Sequence, residues 1–297
     1  MTAMDYASRD KMVRQHTYAS VRRRDGLPQD LFAKYWRDVH GPLCARLPGL
    51  GYYAQQHFDR DHRANLWPVA DGVREIAATL DGAAEIGFAT EADQALFAEA
   101  GSILYEDEAN FIGEAVAYNM PHGAKTLVDR DEDGIRNGAE RLHRVHVYMN
   151  RVPGNDSADW LVGFGAEFAA SSAVQKLKLH LPEPYSNAHP APPSPNVDHI
   201  VGEDRLNLAV MEIAFENARV AREFFSESAF QKAFARQSRH VQSIGAYLVT
   251  GVYTYVRDGV PTPAGLRGSS QAELIDAVGA ANQLSAKVNK LFVQGAS

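Results

Sequence analysis

Three histidines, a tyrosine and a glutamate in the first third of the chain could move protons: His16, Tyr18, His40, His57 and Glu85. Histidine holds either protonation state near neutral pH, and a neighbouring carboxyl or phenol supplies an acid or an oxyanion donor. Such a set can take a proton from carbon next to a carbonyl and stabilise the enolate, the step shared by aldol cyclisation, lactone isomerisation and decarboxylation of activated acids. A second set follows in the same order, His146, Tyr148, His180 and Glu212, with Lys178 as an added acid or anion-binding group. Two other readings stay open. Buried polar groups are normally paired whatever their role, so these residues could simply hold a sheet together. Imidazoles near a carboxylate could also bind a metal, but no pair here has a local metal-motif spacing, so the ligands would have to converge from separate strands.

The segments that carry these residues repeat. Residues 16–21 align with 146–151, each followed by a glycine turn at Gly26 or Gly154 and an amphipathic stretch. Residues 54–58 align with 177–181, and 85–88 with 212–215; helical patterns follow at 91–100 and 217–235, and apolar β-rich segments at 113–120 and 244–256 close the halves. The order β-α-β-β-α-β occurs twice, so the expected class is α+β, two ferredoxin-like repeats. Alternation puts His16, Tyr18 and Ser20 on one face of the first strand, Tyr53, Gln55 and His57 on one face of the second, and Glu85 on the third. The expectation is that these polar faces lie together under the helices, around a cavity, while the apolar faces meet sheet to sheet. A helix over about 29–47, opened by Pro28 and ended near Pro48-Gly49, presents Phe32, Trp36, Val39 and Leu43 on one face and His40 at its flank. His40 is there the best single general acid or base, or else a packing histidine bonded to backbone.

The runs Arg23-Arg-Asp25-Gly26-Leu27, Phe32-Ala-Lys-Tyr35-Trp36-Arg-Asp38-Val-His40-Gly41-Pro42-Leu43 and Leu47-Pro-Gly49-Leu50-Gly-Tyr-Tyr53-Ala-Gln55 resemble the EthD signature. Asp81-Gly82-Ala-Ala-Glu85-Ile-Gly-Phe88 resembles that family's third strand, so the likeness covers about 12–120. The resemblance implies a dimeric α+β barrel, here a tandem duplication fused in one chain, with a pocket between each sheet and its helices. It implies relatives that include cofactor-independent cyclases, decarboxylases, muconolactone-type isomerases and small monooxygenases, and barrels that hold a haem or a metal. The expected activity is a cofactor-independent lyase, isomerase or cyclase working by histidine acid/base chemistry on an aromatic, lactone or polyketide-like carbonyl compound. His40, His57, His16, Tyr18 and Glu85 would be catalytic, Tyr35, Trp36, Tyr53 and Gln55 would touch substrate, and no cofactor is expected. A non-catalytic small-molecule binder and a haem- or metal-dependent barrel enzyme are the alternatives. The second half loses the helix motif, with Gly163, Phe164 and Phe168 where the first has Tyr35, Trp36 and His40, so the working site is expected in the first half.

The expected organisation is repeat 1 over 12–120, an acidic linker over 121–139, repeat 2 over 140–257 and a helical extension over 258–297. Within the linker, Asp129, Asp131, Asp133 and Glu140 match EF-hand spacing around Gly134, but Arg136 stands where an aliphatic residue is usual, and a solvated acidic linker is preferred to calcium. The proline-rich stretch 182–195 reads as a long loop that could cover a pocket. The 297 residues are 45% hydrophobic and 23% charged, with a net charge of -7 that argues against nucleic acid. The single cysteine, Cys44, excludes an internal disulfide, and no stretch approaches the ~18 apolar residues of a membrane span, so a cytoplasmic protein with a small aromatic or hydrophobic partner is expected. The tail beyond residue 269 could serve a homo-oligomer.

Overall fold

A computed structural model describes residues 12–60, 62–130, 135–154, 156–190 and 194–293. The strands are β1 (Gln15–Arg23), β2 (Tyr52–Phe58), β3 (Arg74–Glu75), β4 (Gly82–Phe88), β5 (Ile112–Met120), β6 (Lys125–Asp129), β7 (Asn137–Ala139), β8 (His143–Arg151), β9 (Val174–His180), β10 (Leu208–Phe215), β11 (Val241–Arg257) and β12 (Val260–Pro261). The ladder runs β5-β1-β4-β2-β11-β8-β10-β9-β6. Four strands of each half therefore stand in the spatial order fourth, first, third, second, as β5-β1-β4-β2 and as β11-β8-β10-β9. The halves are joined by β11, whose seventeen residues pair β8 over Val241–Leu248 and β2 over Val249–Val256. At the other end β6 pairs β9, and β6 follows β5 directly in the chain. Among the described residues no helix is long and apolar enough to cross a membrane.

The outer face of the first half is covered by α1 (Gln29–Tyr35), α2 (Gly41–Ala45), α3 (Glu91–Ala100) and α4 (Ser102–Glu108). Between α1 and α2 the helix is wound as a π-turn over Trp36–His40. That wider turn rotates the helix, so Phe32, Trp36 and His40 share the buried side while Val39 is 48% exposed. An unbroken α-helical wheel would bury Val39 and leave His40 at the flank, and the π-turn corrects that expectation. Thr90 caps α3 by accepting the Asp93 N–H. The second half is covered by α5 (Ser157–Ala169), α6 (Ala218–Ser226) and α7 (Ser228–Phe234). Beyond β12 come α8 (Pro263–Arg267), α9 (Ser269–Val278) and α10 (Ala286–Val293); α9 docks on the first-half helix through Asp38, which accepts both the Ser270 N–H and its hydroxyl at 2.8 Å.

On β1 and β4 the two faces are the reverse of the expectation, whereas on β2 they are as expected. Facing residues of an antiparallel ladder share a side, and Glu85 sits opposite both Tyr18 and Ala54. His16, Tyr18, Glu85, Gln56 and Phe58 therefore point inward, toward the other half, whereas Tyr53, Gln55 and His57 point outward beneath the helices. Tyr18 Oη meets His146 Nδ1 at 2.7 Å and accepts from Tyr148 at 3.0 Å, so the polar faces of the two halves meet. The floor under the helices is instead apolar and small, with Ala19, Ala84, Ala115 and Ala117. A one-residue offset in reading β2 against β9 moves every side chain to the other face, and the registers Glu85↔Ala54 and Glu212↔Lys178 show that Gln56, not His57, occupies the place that His180 takes in the second half.

Gly41 marks where the helix docks on β11. A Cβ there would lie 2.4 Å from the Tyr255 ring, which is stacked on Tyr53 and donates its hydroxyl proton to the Arg37 carbonyl. The ring has no free space to retreat into, so Gly41→Ala is expected to destabilise the protein by about 1–3 kcal/mol. Denaturant titration checks this, and an unchanged midpoint would contradict the docking.

Candidate functional site

Beneath α1–α4 lies a cavity of about 240 Å³, floored by β1, β4 and β5 and walled by Trp36, Tyr53, Phe88, Phe97 and Leu104. Against that mostly apolar lining, His40 and Glu108 are the groups able to exchange protons, with Tyr105 and Cys44 beside them. His40 Nδ1 lies 2.8 Å from a carboxylate oxygen of Asp107, whose other oxygen accepts the Tyr35 hydroxyl at 2.6 Å. Burial alone would raise the Asp107 pKa; hydrogen bonds from His40 and Tyr35 outweigh it and hold the carboxyl below its ordinary range. An ionised Asp107 fixes the proton of a neutral His40 on Nδ1, which leaves Nε2 as the basic atom. Glu108 is opposite in character. Burial raises its pKa, against the pull of His40 and of a hydrogen bond from Ser194, so it keeps its proton to higher pH than an exposed glutamate. An imidazole anchored by a carboxylate and a carboxyl whose pKa is raised thus line one mostly apolar cavity.

The second half helps to build this site. At the end of the proline-rich stretch Ser194 donates to Glu108, and beyond it Val197 joins the apolar cluster around the cavity and His199 meets the Ala115 carbonyl at 2.6 Å. Under α5, Phe168, which the sequence comparison set against His40, packs on Phe164, Phe224 and Phe230 with ring centroids 4.3, 5.2 and 5.4 Å away.

Of the residues picked from the sequence, His40, Trp36 and Tyr53 line the cavity, and Tyr35 reaches it through Asp107. Gln55 is committed to the fold, donating to the Trp36 carbonyl at 3.0 Å and to the Tyr53 hydroxyl at 2.7 Å. His57 is stacked on Trp36 at 4.6 Å, edge-on to Tyr253 and behind the cavity wall. His16, Tyr18 and Glu85 belong to the inner compartment and do not converge with His40. Asp107 and Glu108 were not picked out, although the adjacent acids that end the 102–108 helical stretch are visible in the sequence. Of the calcium set, Asp131 and Asp133 lie outside the described residues. Asp129 is buried on β6, and Glu140 is taken up by Arg144 and by the Arg141 and Leu142 N–H groups, so those two are structural.

The inner compartment is a dense charge network. Glu85 accepts from Lys178 at 2.6 Å and from Gln56 at 2.7 Å, and Glu212 pairs with Arg144 and Lys176. Burial disfavours the Glu85 carboxylate, but the Lys178 ammonium beside it prevails and holds its pKa well below the ordinary range.

The EthD domain model matches residues 24–115, so the first half carries that domain. A proposed monooxygenase from Fusobacterium nucleatum subsp. nucleatum superposes with a TM-score of 0.51 at 6% identity, covering 84% of this chain and 97% of that one. An anthrone oxidase-like protein gives 0.48 at 9% identity over 84% and 96%, and a dye-decolorizing peroxidase from Bacteroides thetaiotaomicron 0.44 at 11% over 81% and 94%. No curated protein matches the chain. The likeness to the Fusobacterium protein is one of fold, a large antiparallel sheet with helices as in the dimeric α+β barrels.

Burial, above all, lowers the pKa of His57 and His180 to about 3 and that of His146 to about 4. The unfolded chain takes up these protons near pH ~6.5 while the folded chain refuses them, so stability falls as pH drops below ~6.5, by about 1.4 kcal/mol per pH unit for each histidine until its folded pKa is reached. Chemical denaturation at several pH values between ~6 and ~4 is expected to show a slope about one proton shallower in His57→Gln than in the wild type. Equal slopes would contradict the neutral, buried state of His57.

Proposed function

We propose that the cavity beneath α1–α4 is an active site for general acid/base chemistry on a small aromatic or enolisable carbonyl compound. The observation that carries this reading is the carboxylate-anchored His40 in one cavity with a carboxyl whose pKa burial raises, Asp107–His40 beside Glu108. His40 Nε2 takes a proton from carbon next to the carbonyl, and Asp107 stabilises the imidazolium that forms. Glu108 donates to the oxygen as negative charge develops there, and the same two groups return a proton at the new position. The aromatic walls bind the ring and exclude water. Aldol-type cyclisation and lactone isomerisation can start with this step, and it draws on no cofactor. At about 240 Å³ the cavity falls below the ~300–1,000 Å³ of drug-sized ligands, which favours a compound of one or two rings. An imidazole held by a carboxylate is also the form that ligates metals.

We also read the chain as a duplication. Residues 12–120 and 140–257 would be its two units, 121–139 their linker and 258–297 an added helical piece that packs on the first. The shared strand order and the consecutive placement of β5 and β6, which together mirror the single long β11, support a barrel closed within one chain. In this reading the second unit completes the sheet and supplies the Ser194 segment, while its own cavity has filled with phenylalanine.

With any turned-over compound in hand, His40→Ala and Glu108→Gln are each expected to lower kcat by ~10²–10⁴ while the protein stays folded. Asp107→Asn should lower kcat in the same way by releasing the imidazole. In the wild type kcat/KM should fall as pH rises through the raised Glu108 pKa, and Glu108→Gln should remove that limb. Full activity in both His40→Ala and Glu108→Gln would overturn the assignment, and unchanged turnover with altered KM would support a binding role.

A further inference from the structure

The inner compartment holds a feature that neither its ion pairs nor the outer cavity use. His16 and His180 come from different halves, on β1 and β9, and are fully buried against each other with ring centroids 5.4 Å apart. All four of their ring nitrogens lack a hydrogen-bond partner. A neutral imidazole carries one N–H and one lone pair, so at least two buried donors and two buried acceptors are left unsatisfied at a single spot, at a cost of about 1–3 kcal/mol each. Native interiors rarely tolerate this unless something else satisfies the atoms. Glu85 stands between them, with Oε2 3.5 Å from His16 Nε2 and Oε1 4.0 Å from His180 Nε2.

The geometry points to a divalent transition-metal site formed by His16, Glu85 and His180. One ligand atom from each of the three lies within 4.8 Å of the others. With metal–ligand bonds of ~2.0–2.2 Å, neighbouring ligand atoms stand roughly 3–3.5 Å apart, so rotamer adjustments would close the set. Two neutral imidazoles and one carboxylate suit zinc, cobalt or ferrous iron, and not calcium or magnesium, which take oxygen ligands. Both histidines are held neutral, chiefly by burial, which is the form that binds metal. Gln56 already donates to Glu85 Oε1 at 2.7 Å, the kind of hydrogen bond that orients a ligating carboxylate.

Lys178 is the built-in competitor. Its ammonium lies 2.6 Å from Glu85 Oε2, and an ion entering beside it would leave excess positive charge in a buried space. The same ammonium stands 5.2 Å from the ring of the half-buried Tyr52. Metal entry therefore requires Lys178 to move outward. The bound ion ties β1 and β4 of one half to β9 of the other, so it stabilises the join between halves by mass action.

The test uses the full chain without an affinity tag, stripped with a chelator and titrated with Zn²⁺ by calorimetry and with Co²⁺ by visible absorption. The expected result is one ion per chain, Co²⁺ bands of imidazole-bound metal and a raised melting temperature. His16→Gln and His180→Gln should abolish binding, Gln56→Leu should weaken it by ~10–100-fold, and Lys178→Met should strengthen it. If one histidine variant fails to fold by circular dichroism, the other decides. Absence of binding in both the wild type and Lys178→Met would overturn the proposal, as would binding that persists unchanged when either histidine is replaced.

Discussion

A carboxylate sealed between two sheets cannot remain ionised alone, and the rest of this structure is arranged around the answer to that constraint. Glu85 sits at the middle of the inner face of the first half, and its charge is met by Lys178 from the second. Removing one partner of such a buried pair costs about 3–5 kcal/mol, far more than the pair adds over an apolar substitute, so its value lies in fixing which strand faces which. The Arg144–Glu212–Lys176 cluster and the Tyr148–Tyr18–His146 chain extend the same inner network, and a slip of β2 or β9 by one residue would break it. Polar contacts thus set the register, and the apolar clusters beneath the helices supply most of the burial.

Because the inner faces are spent on that network, an apolar cavity can form only on the outside. Small side chains at Ala19, Ala84, Ala115 and Ala117 lower the floor of the first half, and the π-turn swings His40 over it. Under the helices of the second half, Phe164, Phe168, Phe224 and Phe230 pack together. The asymmetry fits a molecule in which one outer face works and the other provides stability, with the link made by the Ser194 segment that reaches across to Glu108.

Much of this was legible from residue types and order. The strand and helix patterns led to an α+β fold of antiparallel strands and helices, and the aromatic pair with a spaced histidine led to Trp36 and His40. Three physical facts hid the rest. Alternation gives two faces per strand but does not say which is inner, and His57 seemed aligned with His180 until the ladder registers placed Gln56 there instead. Helical periodicity assumes a constant turn, so a π-turn misplaces everything after Trp36. Asp107 and Glu108 close a short helix and read as ordinary solvated acids; only the burial of Glu108 and the approach of Asp107 to His40, brought about by tertiary packing, give them chemistry.

The central claim is that small aromatic carbonyl compounds enter the outer cavity at His40 and not the polar interior. It can be tested before any substrate is known, by recording the imidazole nitrogen resonances of ¹⁵N-histidine-labelled protein during titration with a panel of one- and two-ring phenols, ketones and lactones. The account predicts that binding compounds shift the Nε2 signal of His40, with its Nδ1 remaining protonated toward Asp107, and leave His146 and His180 in place. Shifts confined to the inner histidines, with His40 unmoved by every compound that binds, would contradict it.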